Sequence, residues 1–345
     1  MIDPFFPAPA FLAKLTQPIA DALYLTTLPL HIHEIILAVA FYHYVHTKVG
    51  PALSSWLFPG IYSRFPTRTK INWDVHVVSF VQSVLVNSLA LWVMMNDEER
   101  SHMDWRERVW GYTGAGGLTQ ALAAGYFLWD LQVTAFNVGI FGWGMLAHAV
   151  SAVVVFSFGF RPFVNYYGPT FILYELSSPF LNIHWFLDKV NMTGSKMQWY
   201  NGILLLSTFF GCRLVWGTYQ SVRVYQDVWS ALQTPGAAPA TTLTPDQLNL
   251  QSRSDSEIMR FAGPQLVPAW LAITYLGSNI VLNTLNFYWF GKMIETVRKR
   301  FQPAEQEKAK LPPSTGPDVS SSMDIFASGK QAVNVGEKEV RQRHA

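Results

Sequence analysis

The chain has 345 residues, half of them hydrophobic and only 14% charged. Soluble domains carry about 25% charged residues, so this composition points to a membrane. The formal net charge of +2 gives nucleic-acid binding no electrostatic support, and the single Cys212 excludes an intrachain disulfide framework or a multi-cysteine metal site.

Residues 1–28 are short apolar runs broken by prolines and read as an interfacial segment. Asp3 with Pro7, Pro9 and Pro18 does not fit the charged-then-apolar pattern of a signal peptide, so insertion is expected to rely on the first span. No C-terminal retrieval or prenylation signal is present. The first span covers about Leu28–His46 and holds His31, His33, Glu34, His43 and His46. His43 and His46 stand i, i+3, which fits metal or haem ligation. The favoured reading places these histidines near the helix ends at the interface, with Tyr42 and Tyr44 as aromatic anchors. No second helix offers matching mid-membrane histidines.

A loop with Pro51, Pro59, Gly60 and Pro66 carries Arg64, Arg68 and Lys70 to the second helix, about Ile71–Met94. There Ser79, Gln82, Ser83 and Asn87 recur at helical spacing as a polar stripe. The mixed charges from Asp97 to Arg108 read as solvated surface. The third helix, about Val109–Leu128, is rich in glycine and alanine, which let helix backbones approach closely in membranes. Asp130, just beyond it, is either a helix-end charge in water or a functional acid inside the boundary. The fourth helix, about Asn137–Phe158, carries His148 with Ser151 one turn on. A lone intramembrane histidine is often merely hydrogen-bonded to a neighbouring helix, but it also suits proton transfer or acyl carrying near neutral pH.

Arg161, Pro162, Gly168 and Pro169 turn the chain into a fifth helix, Phe171–Asp188. Glu175, Ser178 and Asn182 stand i, i+3, i+7 on one face. An ionised carboxylate in hydrocarbon costs at least ~2.5 kcal/mol, so this face is expected to look into a bundle. Pro179 should kink the helix and release a carbonyl near Glu175. The sixth helix, about Trp199–Tyr225, carries Arg213 inside an apolar run, where it either snorkels to a headgroup or pairs with Glu175 or Asp130. A polar loop follows, then a seventh helix, about Leu266–Phe290, flanked by Lys292, Arg298, Lys299 and Arg300. Beyond Gln302 the chain is polar and expected to be disordered. The distribution of basic residues puts the C-terminus in the cytosol.

Three stretches together resemble the TLC-domain family of membrane proteins. They are Asn72-Trp73 with Val78-Ser79; Gly125-Tyr126-Phe127-Leu128-Trp129-Asp130-Leu131 with His148 in the next helix; and Tyr174-Glu175-Leu176-Ser177-Ser178-Pro179-Phe180-Leu181-Asn182 with Trp185-Phe186, followed by Asn201-Gly202, Phe209-Phe210 and Arg213. The nearest branch looks like the transmembrane proteins associated with lipid homeostasis. The resemblance implies an all-α, multi-pass bundle of about seven spans around a polar-lined internal cavity open to lipid, residing in the endoplasmic reticulum. Residues 1–65 would be an N-terminal segment with the first span, 66–230 the TLC-like domain, 231–263 a polar loop, 264–292 the last span and 293–345 a disordered cytosolic tail.

The ceramide synthase branch transfers an acyl group from acyl-CoA with a paired His-His motif and a His-Asp…Asp motif. This chain has Ala147-His148 in the first place and Tyr174-Glu175-Leu176-Ser177-Ser178-Pro179 in the second, and Gln82 where many relatives have a histidine. These losses argue against a ceramide synthase and leave catalysis open. The candidate catalytic set is His148, Asp130 and Glu175. The candidate cavity set is Ser79, Gln82, Asn87, Ser151, Ser178, Asn182 and Arg213. No metal or cofactor is expected. The partners expected are membrane lipids and, for an enzyme, acyl-CoA. Three functions remain: lipid binding or processing for membrane lipid homeostasis, acyl transfer through His148, or a transporter or cargo receptor.

Overall fold

The computed structural model describes residues 1–161, 163–233, 257–262, 265 and 267–301. The expectations for the polar loop between Gln233 and Glu257 and for the tail beyond Phe301 lie outside them. Among the described residues there is no strand. In chain order, leaving aside three single-turn helices at Pro59–Tyr62, Glu98–Ser101 and Val138–Phe141, the helices are α1 (Ala10–Leu23), α2 (Leu28–Leu57), α3 (Thr67–Asn96), α4 (Trp105–Trp110), α5 (Gly114–Phe136), α6 (Trp143–Phe160), α7 (Tyr167–Ile172), α8 (Ser178–Lys189), α9 (Lys196–Gln233) and α10 (Ala269–Phe301). Four of these, α2, α3, α6 and α9, are each long and apolar enough to cross a membrane. Their outer faces expose large side chains such as Ile36, Leu37, Trp92, Val154, Leu204 and Phe210. An apolar surface of that extent in water would drive association, whereas lipid accommodates it. The protein is an all-α membrane bundle.

Helix α5 lies at the centre of one half, packed on α2, α3 and α6. Its small residues permit this. A methyl group on Gly125 would sit 2.5 Å from Ala38 Cβ of α2, so only glycine allows the two backbones to come so close. Tyr42, Val78, Trp129 and Met145 from the four helices fill the space between them. At the other end Trp110, Phe163, Tyr167, Val224 and Leu271 form a second apolar cluster that ties α4 and α7 to α9 and α10.

Several elements differ from the sequence reading, each for a physical reason. The first helix does not stop before Pro51. A π turn at Val45–Val49 lets the Gly50 N–H reach the Val45 carbonyl, and Pro51 then falls in the first turn of the next α segment, where its missing N–H breaks no bond. The helix expected over 109–128 is split, because Gly111 and Thr113 are extended. Tyr112 there donates its N–H to the Ile258 carbonyl at 2.8 Å. Asp130 consequently lies within α5, buried, rather than beyond its end.

His31, His33 and Glu34 are not interfacial: they are buried under residues 1–9. Asp3 reaches His31 at 3.4 Å, and His33 Nε2 stands 2.7 Å from the Phe6 carbonyl. Tyr42 is fully buried and Tyr44 exposed, so only the second can serve as an anchor. The loop after α3 is not simply solvated surface either. Asp97 and Arg100 are buried, and Arg108 makes a two-pronged bond to Asp227 of α9 at 2.7 and 2.8 Å.

Candidate functional site

Inside the bundle is a cavity of about 920 Å³. Its wall on α5 runs from Gly116 to Asp130. At ~1.5 Å per residue that is about 21 Å, roughly two thirds of a ~30 Å hydrocarbon core. Polar and apolar groups both line the cavity. Val155, Phe156, Leu181, Leu282, Leu285 and Trp289 provide apolar wall, and the polar groups include Ser79 and Gln82 of α3, Glu175, Ser178 and Asn182 of the α7–α8 segment, Asp130 of α5 and Asn279 of α10.

The α7–α8 connection explains part of the polar lining. Leu173–Ser177 is a 3₁₀ turn, and Pro179 then starts α8 in its first turn, as an N-terminal proline should. The tightened turn brings the Ser178 hydroxyl to Glu175 Oε2 at 2.7 Å. Glu175 Oε1 receives Arg213 Nη2 at 3.5 Å. Of the two partners considered for Arg213, the ion pair is with Glu175. Arg213 sits in a π segment of α9, Phe210–Trp216, and also donates to Ser177 Oγ at 3.2 Å and Asn286 Oδ1 at 3.3 Å. One turn further along α8, Asn182 Nδ2 donates to the Ser178 carbonyl at 3.0 Å and to Ser79 Oγ at 3.2 Å.

Of the candidate residues, Asp130, His148, Glu175, Ser79, Gln82, Ser151, Ser178, Asn182 and Arg213 all line this one cavity. Asn87 does not. Its Nδ2 donates to the Ser83 carbonyl at 2.5 Å within its own helix. His148 and Ser151 are exposed on α6, which places them at the lateral edge of the cavity rather than in its depth.

Sequence reasoning missed His76. It lines the cavity, its Nδ1 lies 2.8 Å from Asn182 Oδ1, and its ring stacks on Trp185 with centroids 4.0 Å apart. The signal was present: His76, Ser79 and Gln82 continue one i, i+3, i+6 face. Arg100 and Asn165, also on the wall, were missed as loop residues. Burial lowers the basicity of Arg100, while the Asp227 carboxylate raises that of Arg108.

Among the described residues one trio could offer metal donors, Asp3, His31 and Glu34, with donor atoms within 4.8 Å of one another. Their hydrogen bonds are largely met from within: His31 Nδ1 is 2.8 Å from Glu34 Oε2 and Nε2 is 2.6 Å from the Tyr112 hydroxyl. Burial pushes Asp3 up to about 6. The trio clamps the N-terminal segment onto α2.

Residues 72–295 match the family model of the TLC domain. The chain belongs to the TLC domain family. The match runs past the 66–230 expectation and takes in most of α10. An uncharacterized TLC domain-containing protein of Schizosaccharomyces pombe is 36% identical, covering 88% of this chain and 90% of its own length. Topoisomerase I damage affected protein 4 of Saccharomyces cerevisiae is 29% identical over 81% of this chain and 88% of its own. TLC domain-containing protein 4 of Homo sapiens is 27% identical over 50% of this chain and 62% of its own. No solved structure matches.

Proposed function

We propose that this TLC-domain protein binds or processes a membrane lipid in the cavity and so contributes to membrane lipid homeostasis, in the endoplasmic reticulum with its C-terminus cytosolic. One observation carries the reading: a cavity of about 920 Å³ lined both by hydrogen-bonded polar groups and by apolar side chains. A lipid carries both kinds of surface. Its polar groups would meet hydrogen-bonding side chains of the lining, and its chains would lie against Val155, Phe156 and Leu181. The exposed, apolar outer face of α6 beside His148 gives such a molecule a lateral way in from the bilayer.

The test is lipid content. The full-length protein is purified in detergent, its bound lipid extracted and quantified by mass spectrometry, and compared with Ser151→Trp. That side chain bonds only the Ala147 carbonyl of its own helix, so the bulky replacement narrows the cavity without disturbing packing between helices. Wild type should carry lipid that the variant loses. Equal lipid in two folded proteins overturns the reading.

A second reading, acyl transfer from acyl-CoA, draws on the presence of His76, His148 and Asp130 in one cavity. In a deletion strain, complementation by His148→Ala separates the two. Full restoration of the lipid profile removes His148 as an acyl carrier or general base, and loss of it with normal protein level supports the enzyme.

A further inference from the structure

Arg100 follows α3 directly, at the membrane-boundary end of a span. It is only 6% exposed and lines the cavity. Its Nη2 donates to two neutral acceptors, Thr170 Oγ1 at 2.6 Å and the Tyr166 carbonyl at 3.1 Å. Its Nε–H is buried with no hydrogen-bond partner among the described residues. Next to Tyr166, both side-chain amide atoms of Asn165 are also buried without a hydrogen bond, and so is the hydroxyl of Tyr275. Both residues line the same cavity. Each orphaned polar atom costs about 1–3 kcal/mol, so several on one cavity wall call for a ligand that satisfies them.

The local charge says which kind. Three guanidiniums surround the Tyr166 ring: Arg100 at 4.1 Å, Arg108 at 5.9 Å and Arg223 at 6.0 Å. Asp227 is taken by Arg108. Asp97 receives the Met1 ammonium and the Arg100 backbone N–H, and the exposed Glu99 meets that same ammonium. With Arg108 matched by Asp227, Arg100 and Arg223 stand against Asp97, which leaves one positive charge in excess, facing the cavity through Arg100.

We propose that this end of the cavity binds the phosphate of a membrane glycerophospholipid. Arg100 Nε–H and Asn165 Nδ2 donate to its oxygens, and the acyl chains follow the apolar wall toward α6. The inference rests on the lipid reading above and names the class of lipid. A glycerophospholipid fits the spacing, because glycerol holds its phosphate close to the start of the chains. In acyl-CoA a long pantetheine arm intervenes.

Delipidated full-length protein is titrated with dioleoyl phosphatidic acid, dioleoylglycerol and oleoyl-CoA, with inorganic phosphate as a control, followed by native mass spectrometry. Phosphatidic acid should bind about tenfold more tightly than dioleoylglycerol, the value of one charge-assisted hydrogen-bond set. Arg100→Gln should remove that difference and leave dioleoylglycerol unchanged. Asn165→Leu guards against misfolding: its amide makes no bond of its own, so the variant should melt no lower than wild type while binding phosphatidic acid less. Equal binding of the two dioleoyl lipids overturns the phosphate site and leaves the lipid reading standing. Failure of both to bind overturns the lipid reading itself. Oleoyl-CoA bound through Arg100 with no binding of phosphatidic acid overturns the phospholipid assignment.

Discussion

Asn182 Oδ1 of α8 lies 2.8 Å from His76 Nδ1 of α3, and the same amide donates to Ser79 Oγ at 3.2 Å. One side chain therefore joins two helices that contribute polar groups to the cavity. Asn182 is 1% exposed, so its replacement by leucine strips hydrogen bonds where water is scarce. Asn182→Leu should destabilise the protein by about 1–3 kcal/mol, the cost of leaving buried partners unsatisfied. Thermal unfolding in detergent followed by tryptophan fluorescence reads this. A melting temperature equal to wild type would show that the bond contributes nothing.

How far the wall could be read in advance follows from the range of the interactions involved. Glu175, Ser178 and Asn182 were legible because one face of one helix is set by local geometry. The Glu175–Arg213 pair was legible as one of three options, beside a pair with Asp130 and snorkelling to a headgroup, since an arginine in an apolar run needs an acid or water. Arg100 and His31 were not legible. Their burial depends on the loop after α3 folding back over α7, and on residues 1–9 folding over α2. Such long-range closure leaves no periodic trace, and a charged loop ordinarily stays in water. Asn87 was placed with the wall by helical spacing, but its amide bonds the Ser83 carbonyl of its own helix and the residue does not line the cavity.

The ion pair between Arg213 and Glu175 is lopsided. The arginine side chain is 12% exposed and the carboxylate 35%. Glu175→Gln leaves a buried cation with only the neutral acceptors Ser177 and Asn286, whereas Arg213→Met leaves a carboxylate that water still reaches. Breaking a fully buried pair costs about 3–5 kcal/mol. Solvent screening at Glu175 reduces this, so Glu175→Gln should cost about 2 kcal/mol and Arg213→Met about half as much. The double variant should recover most of the loss. Denaturation of the three proteins in parallel decides, and equal costs for the two single variants would refute the asymmetry.

Gly117 faces His31. A methyl group there would stand 2.2 Å from His31 Nε2, the atom that meets the Tyr112 hydroxyl. Gly117→Ala must push the imidazole off its partners, and overpacking of this kind costs about 1–3 kcal/mol. The N-terminal segment is held through His31, so the damage should spread to it. Hydrogen exchange of residues 3–9 should rise in the variant while α9 remains protected. Unchanged protection of the segment would show that it is held by other contacts.

Arg108 and Asp227 form the best-aligned ion pair among the described residues, with Nε and Nη2 donating to the two carboxylate oxygens at 2.7 and 2.8 Å. Asp227 also accepts from the Tyr167 hydroxyl at 2.6 Å. This set fastens α4 to α9 at the Arg100 end of the cavity. Removing Arg108 leaves Asp227 buried with a neutral partner; removing Asp227 adds a second unneutralised guanidinium beside Arg100 and Arg223 around Tyr166. Bidentate, partly buried pairs couple more strongly than exposed ones, by about 2 kcal/mol. A double-mutant cycle with Arg108→Met and Asp227→Asn should return a coupling of that size in the melting of the purified protein. Asp227→Asn should also raise the binding of phosphatidic acid, because it frees positive charge at the proposed phosphate site, while Arg108→Met lowers it. Opposite effects on binding from two variants that both destabilise would separate the electrostatic role of this end from its structural one; a shared fall would assign both residues to packing alone.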